Sequence, residues 1–166
     1  MAVVAGDIKF YHSGGAANSD PNASLGGVQS SVEITDATLE NLFDNVSSAD
    51  ASSGEINYRC LYVENTNGVD TLTTAVTFFA SVPSVTGIAL GLDPAGINGT
   101  ATTIANEDEV PGGVAFSTPV TAGTGFTIGD LTAGDSQAIW VRRTVAPGAA
   151  SNPLDSTTVR VQGDTV

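Results

Sequence analysis

The sequence predicts an all-β fold, and three observations carry that prediction. Short apolar-rich runs bounded by turn residues read as strands, most clearly Glu55–Asn65 and Ser136–Thr144. Turn formers are abundant: nineteen glycines and seven prolines stand among many Ser, Thr, Asn and Asp residues. The Leu, Glu, Lys and Arg content that a helical bundle requires is lacking. Turn signals recur every ~8–12 residues, and the runs between them add up to about eight to ten strands. That pattern is the signature of a sandwich or barrel, and the expected fold is an antiparallel β-sandwich, jelly-roll or immunoglobulin-like, with long polar loops and at most one short helix.

The elements follow in chain order. Gly6–Tyr11 reads as a first short strand. Residues 12–27, HSGGAANSDPNASLGG, read as a long loop with little to pack, able to reach a neighbouring subunit. Val28, Ser30, Val32 and Ile34 alternate on one face of a strand. In residues 36–46 Asp36 can cap, and Leu39, Leu42, Phe43 and Val46 fall at helical spacing, which predicts one or two turns of helix. SSADASSG then reads as loop. Glu55–Asn65 places Tyr58, Cys60 and Tyr62 on one face and Arg59, Leu61 and Val63 on the other. With Leu72–Val82 it forms an expected hairpin across Asn-Thr-Asn-Gly-Val-Asp. Gly87–Leu92 is the next strand, with short strands at Ala101–Ile104 and Val114–Thr118. Phe126–Ile128 precedes an expected turn at Gly129-Asp130. Ser136–Thr144 puts Ile139 and Val141 opposite Ala138 and Trp140, and Thr157–Val161 is expected to close a C-terminal hairpin with it. Tyr58, Tyr62, Phe78, Phe79, Trp140 and Val159 are the expected core. No repeat or linker divides the 166 residues, so one domain spans 1–166, with an extended N-terminal segment over about 1–27.

Charge narrows the partners. Eighteen acidic residues face only five cations, Lys9, Arg59, Arg142, Arg143 and Arg160, for a net charge of −13. Phosphate backbones reward cations through counterion release, so nucleic acid is not an expected partner, nor is an anionic membrane. No apolar run reaches the ~20 residues of a membrane helix. The N-terminal residues lack the basic start and apolar length of a signal peptide, so the sequons at Asn22, Asn45 and Asn98 have no secretory context. Cys60 is the single cysteine and, inside a strand, reads as a buried inert thiol.

Residues suited to catalysis are few. His12 is the only histidine, sits in the Gly-rich loop beside Tyr11 and Ser13, and reads as solvent-exposed. It has no metal-ligand neighbours at zinc spacing and no G-x-S-x-G elbow accompanies it. Glu107, Asp108 and Glu109 are the one dense carboxylate cluster, without aromatic neighbours to hold a sugar, and read as a solvated acidic loop. Calcium is the one ion whose oxygen ligands are at hand, in Asn18–Asn22 and Asn106–Glu109, although neither segment has the EF-hand pattern. Catalytic, cofactor-binding and metal residues are therefore assigned to none. Arg142 and Arg143 point to opposite faces of their strand, one expected in an ion pair and the other at an interface. Ile8, Phe10, Tyr11 and the 12–27 loop are the expected subunit contacts.

The opening AGDIKFYHSGGAANSDPNASLGG, the middle INYRCLYVENTNGVDTLTTAVTFFAS and the closing LTAGDSQAIWVRRTVAPGAASNPLDSTTVRVQGDT together resemble small virion structural proteins of tailed bacteriophages. The resemblance spans most of the chain outside residues 93–125. The segment LTAGDSQAIWVRR is also similar to immunoglobulin-like modules of phage surfaces. The resemblance implies a non-enzymatic decoration, or cement, protein on the capsid surface of the virion. Its implied partners are the major capsid protein and further copies of itself in a homotrimer. Tail and fibre modules of phage particles share the pattern and form the alternative. The class has no catalytic motif, so no functional residue is carried over from it.

Overall fold

A computed structural model describes residues 2–152 and 154–165. The described residues form strands β1 (Ile8–Ser13), β2 (Gln29–Glu33), β3 (Glu55–Asn65), β4 (Leu72–Ser81), β5 (Gly87–Leu92), β6 (Phe126–Leu131), β7 (Ser136–Val145) and β8 (Thr158–Thr165), with one short α-helix, α1 (Ser48–Ser53), and three single turns of 3-10 helix. They make two sheets, ordered β2-β1-β3-β7-β5 and β6-β4-β8. Every pairing between them is antiparallel. The fold is thus all-β, with two antiparallel sheets and minimal helix.

Alternation along β3 and β7 decides where the core lies. Leu61, Val63, Ile139 and Val141 share one face with Leu90 and pack with Phe79 of β4. Phe126, Ile128, Val159 and Val161 join the same cluster from the three-stranded sheet. The opposite face carries Tyr58, Cys60, Tyr62, Ala138 and Trp140. None of the described strands covers that face. Ala101 and Ile104, with Leu25, Val114 and Phe116, lie over it from the long loops. The residues expected in the core are there: Tyr58, Tyr62, Phe78, Phe79 and Trp140 are buried, and Val159 is partly buried against the shared cluster.

The 12–27 loop corrects its expectation of little packing. Its anchors are hydrogen bonds to strand backbone and side chains, which an apolar pattern does not reveal. Ser13 Oγ donates to the Cys60 carbonyl (2.9 Å), Gly26 N–H donates to Ser13 Oγ (3.1 Å) and Cys60 N–H donates to the Ser24 carbonyl (2.8 Å). The Tyr62 hydroxyl donates to the Gly27 carbonyl (2.6 Å) and accepts from Ala101 N–H (2.9 Å). Gly26, at φ +91°, is required: a Cβ there would stand 1.8 Å from the Thr102 carbonyl oxygen. Of the two short strands expected beyond residue 100, only isolated bridges form, Gly27 with Ala101 and Leu90 with Ser117.

Both expected hairpins are corrected. β3 is flanked by β1 and β7, and β7 by β3 and β5, so neither has a free edge for its successor in sequence. β4 and β8 therefore cross to the other sheet, where they pair with each other. Asn65 holds the first crossing, donating through Nδ2 to the Asp70 and Leu131 carbonyls (both 2.9 Å). The Gly129-Asp130 turn lies instead inside β6. Gly129, at φ +102°, forms a bulge there, and Asp130 Oδ1 accepts from Thr74 N–H at 2.9 Å.

The helix expected over 36–46 is also corrected. Ala37 and Glu40 take positive φ (56° and 61°), which stops a helix, and Leu39 is 72% exposed. Leu42 and Phe43 still pack on the shared core. Helix forms one segment later, in the stretch read as loop. Ser47 caps it by accepting from Asp50 N–H, and Gly54 ends it at φ 82°.

Candidate functional site

The inward face of β3 and β7 changes from apolar to polar toward one end. Beyond Leu61 and Val141 stand Arg59, Asn57 and Arg143, with Asn57 directly across from Arg143. Arg143 Nη2 and Nε donate to Asn57 Oδ1 (2.9 and 3.2 Å), and Nη1 donates to the Asp44 carbonyl (2.6 Å). The Asp44 and Glu55 carboxylates lie 3.6 and 3.8 Å away. Burial pushes the guanidinium pKa down, and these two carboxylates pull against it. Phe43 caps both arginines, with its ring centre 4.8 Å from Arg143 Cζ and 5.5 Å from Arg59 Cζ.

Arg59 is 0% exposed. Its Nη2 donates to Asn22 Oδ1 (2.7 Å) and Glu107 Oε2 (2.5 Å), and Nη1 donates to the Tyr58 carbonyl (3.1 Å). One side chain thus ties together β3, the N-terminal loop and the acidic loop. The expectation that Glu107 is simply solvated is corrected, since its carboxylate compensates a buried cation. A parallel arrangement holds the other face. Asp93, itself buried, accepts from Trp140 Nε1 and Thr102 N–H, both at 2.9 Å.

Beside the arginines lies a cleft of about 750 Å3, lined by Phe43, Ile88, Arg143 and Val145 and walled by residues 45–48 and 148–152. At its rim Asp155 gathers the β4–β5 connection. Its carboxylate accepts from the backbone N–H groups of Ser84, Val85 and Thr86 and from the Ser84 and Thr86 hydroxyls. Burial pushes the Asp155 pKa up, but the hydrogen bonds from Thr86 and Ser84 outweigh it and hold the carboxyl below its ordinary value. A depressed carboxylate stabilises the fold above its unfolded pKa and loses that contribution as pH falls through its folded pKa. Asp155→Asn is therefore expected to lower the melting temperature at pH 7 and to converge with the parent below the ordinary Asp range. Thermal melts across pH 2–7 check this.

The expected contact residues separate. Ile8 and Phe10 are half-buried and pack on the core shared by the sheets. Tyr11 lies toward the loop-covered face, and burial pushes its phenol pKa up. β1, which carries all three, is hydrogen-bonded on both sides. Arg142 and Arg143 do point to opposite faces. Arg142 Cζ stands 5.4 Å over the Phe116 ring, while Arg143 is a buried clasp rather than a surface ion pair.

The exposed-loop reading of His12 is corrected. His12 belongs to β1, is 5% exposed and shares a 3.2 Å hydrogen bond between Nδ1 and Ser24 Oγ. Burial pushes its pKa down, partly offset by Asp20. Ser24 itself has no exposed surface. In the segments considered for calcium, Asp20 accepts from Asn22 N–H, Asn22 and Glu107 hold Arg59, and Glu109 accepts from Ala105 N–H. Among the described residues no cluster of three His, Cys, Asp or Glu side chains could hold a metal ion. None of their helices is long and apolar enough to cross a membrane.

Cys60 is fully buried, and burial pushes its thiol pKa far above the ordinary range. An aromatic disulfide reagent is expected to leave it unmodified in the native protein and to label it completely in denaturant, as absorbance of the released thiolate would show.

Sequence reasoning missed the three clasps at Arg59, Asp93 and Asp155. A signal existed for the first. Arg59 shares a face with Leu61 and Val63, and a charge at an inward position requires a buried counterpart. Asp93 and Asp155 lie outside regular strands, where no periodicity marks a side chain as inward. Comparison of the chain with protein-family models, with curated proteins and with solved structures found no match.

Proposed function

We propose that this chain is a non-enzymatic structural protein of a tailed-bacteriophage virion, a decoration or cement protein that binds the major capsid shell as a homotrimer. One observation carries the reading: the chain covers both faces of its own five-stranded sheet, one with the second sheet and the other with loops pinned by buried polar side chains. Arg59, Arg143, Asp93 and Asp155 act inward, as fasteners between segments. The product is a stiff block with an acidic surface, suited to bearing load. Many copies that bind only the assembled shell stabilise it by mass action. The virion context itself comes from the sequence resemblance.

The same reading includes a β-sandwich. The cluster that joins Leu61 and Ile139 to Phe79 and Val159 supports face-to-face packing of the sheets. From β3 to β8 each successive strand lies in the sheet opposite its predecessor. This winding favours a jelly-roll type over an immunoglobulin-like one, in which hairpins keep successive strands in one sheet.

Cryo-electron microscopy of intact particles tests the function. Density for this chain at three-fold or quasi-three-fold positions of the capsid is expected. Density confined to the tail, or none on the particle, would overturn the decoration role.

A further inference from the structure

The two sheets end in four strands, β2, β5, β6 and β8. Exposed edges invite pairing, and proteins blunt the ones they do not use. β2 has five residues and a register irregularity in its only pairing. β5 is covered on its outer side, where Leu90 and Ser117 exchange backbone hydrogen bonds of 2.9 and 3.0 Å. β6 is broken by the bulge at Gly129. β8 has none of these devices. It runs eight residues with no proline and no positive φ, and the extra residues in its pairing with β4 belong to β4.

β8 also carries an unused charge. Lys9, Arg59 and Arg143 are in ion pairs, and Arg142 lies over Phe116. Arg160, exposed on β8, has neither kind of partner among the described residues. Arg160, Gln162 and Asp164 alternate on the exposed face of β8. This order is self-complementary. When two copies of β8 pair antiparallel with Gln162 on the axis, Arg160 of each falls opposite Asp164 of the partner subunit, and their side chains share one face.

We propose that β8 is a docking edge for a second copy of this chain, joined about a two-fold axis through Gln162. The contact fuses two three-stranded sheets into one continuous antiparallel sheet. It is isologous, whereas a closed trimer uses a heterologous contact. The proposal therefore stands or falls apart from the capsid reading. Species of two or six copies contain this contact, and those of one or three copies do not.

A single cysteine tests the register. Residues facing each other across antiparallel strands have Cα atoms about 4.5–5.5 Å apart, within the span of about 4.4–6.8 Å that a disulfide bridges. Gln162→Cys is expected to give a covalent dimer under mild oxidation. Thr127→Cys, exposed on bulged β6, is expected to stay unlinked, and the native Cys60 is buried in both variants. Sedimentation of the unmodified full chain should show two or six times the 16.7 kDa chain mass. Arg160→Glu should weaken association by about tenfold, because it sets like charges opposite each other; the swap R160E/D164R should restore it, with unchanged far-UV circular dichroism in all variants. A chain that sediments only as one or three copies overturns the proposal. So does a Gln162→Cys variant that crosslinks no better than Thr127→Cys, or a charge swap that restores nothing. Capture of an extended strand from another protein by a chain that remains monomeric would assign the edge to a different occupant.

Discussion

Replacing Trp140 with alanine is expected to destabilise the fold by ~3–5 kcal/mol, the range for deleting a large buried aromatic side chain. Trp140 is 0% exposed and heads the fully buried side chains by volume. It lies in the cluster with Tyr58, Tyr62, Ala101 and Ile104, so its loss opens a cavity between sheet and loops. The loops are held there by their own hydrogen bonds and cannot collapse freely into the void. Trp140→Phe should cost less. It retains most of the apolar volume, and Asp93 keeps its bonds from Thr102 and Ala95 N–H. Trp140 is the only tryptophan, so its fluorescence reports unfolding of the parent, and far-UV circular dichroism in urea gives the comparison with the variants. A loss below about 1 kcal/mol for the alanine variant would show that the loop layer adds little to stability.

The strands were legible where short, largely apolar runs stand between turn residues, because β3, β5 and β7 are buried on both faces. β3 and β5 have the boundaries that these runs predict, and β7 differs by a single residue. The two faces of β3 and β7 were legible because successive side chains of a strand point to opposite sides, and the burial of Trp140 and Cys60 followed from their apolar face. Pairing was not legible. A hairpin and a sheet crossing can share the same local turn residues; the difference lies in whether the first strand has a free edge, and that depends on β1 and β5, far away in sequence. The loop layer was illegible on other grounds. Ser13, Ser24 and Gly26 are buried through backbone and hydroxyl hydrogen bonds, which leave no hydrophobic trace. The 36–46 segment shows the opposite error. Leu42 and Phe43 do pack inward, but two positive-φ residues set them there without a helix.

The clasp at Arg59 yields an asymmetry that distinguishes a charge fastener from ordinary packing. Glu107→Ala leaves the Arg59 guanidinium buried without its counter-charge. Removing one member of a buried pair costs ~3–5 kcal/mol, and the low end, ~3 kcal/mol, is expected here because the Glu107 side chain is 40% exposed and water can partly replace it. Arg59→Met removes the buried charge itself and leaves Glu107 and Asn22 at a surface where both can be hydrated. Apolar replacement of buried ionic groups is often close to neutral, so this variant should lose less than Glu107→Ala, although the Tyr58 carbonyl gives up a donor. The double variant should resemble Arg59→Met alone, since no buried charge remains for Glu107 to compensate. Urea denaturation of the three variants tests this order. If Arg59→Met proves the more costly single change, the aliphatic stem and its stacking on Phe43, rather than charge compensation by the acidic loop, hold this corner of the fold together.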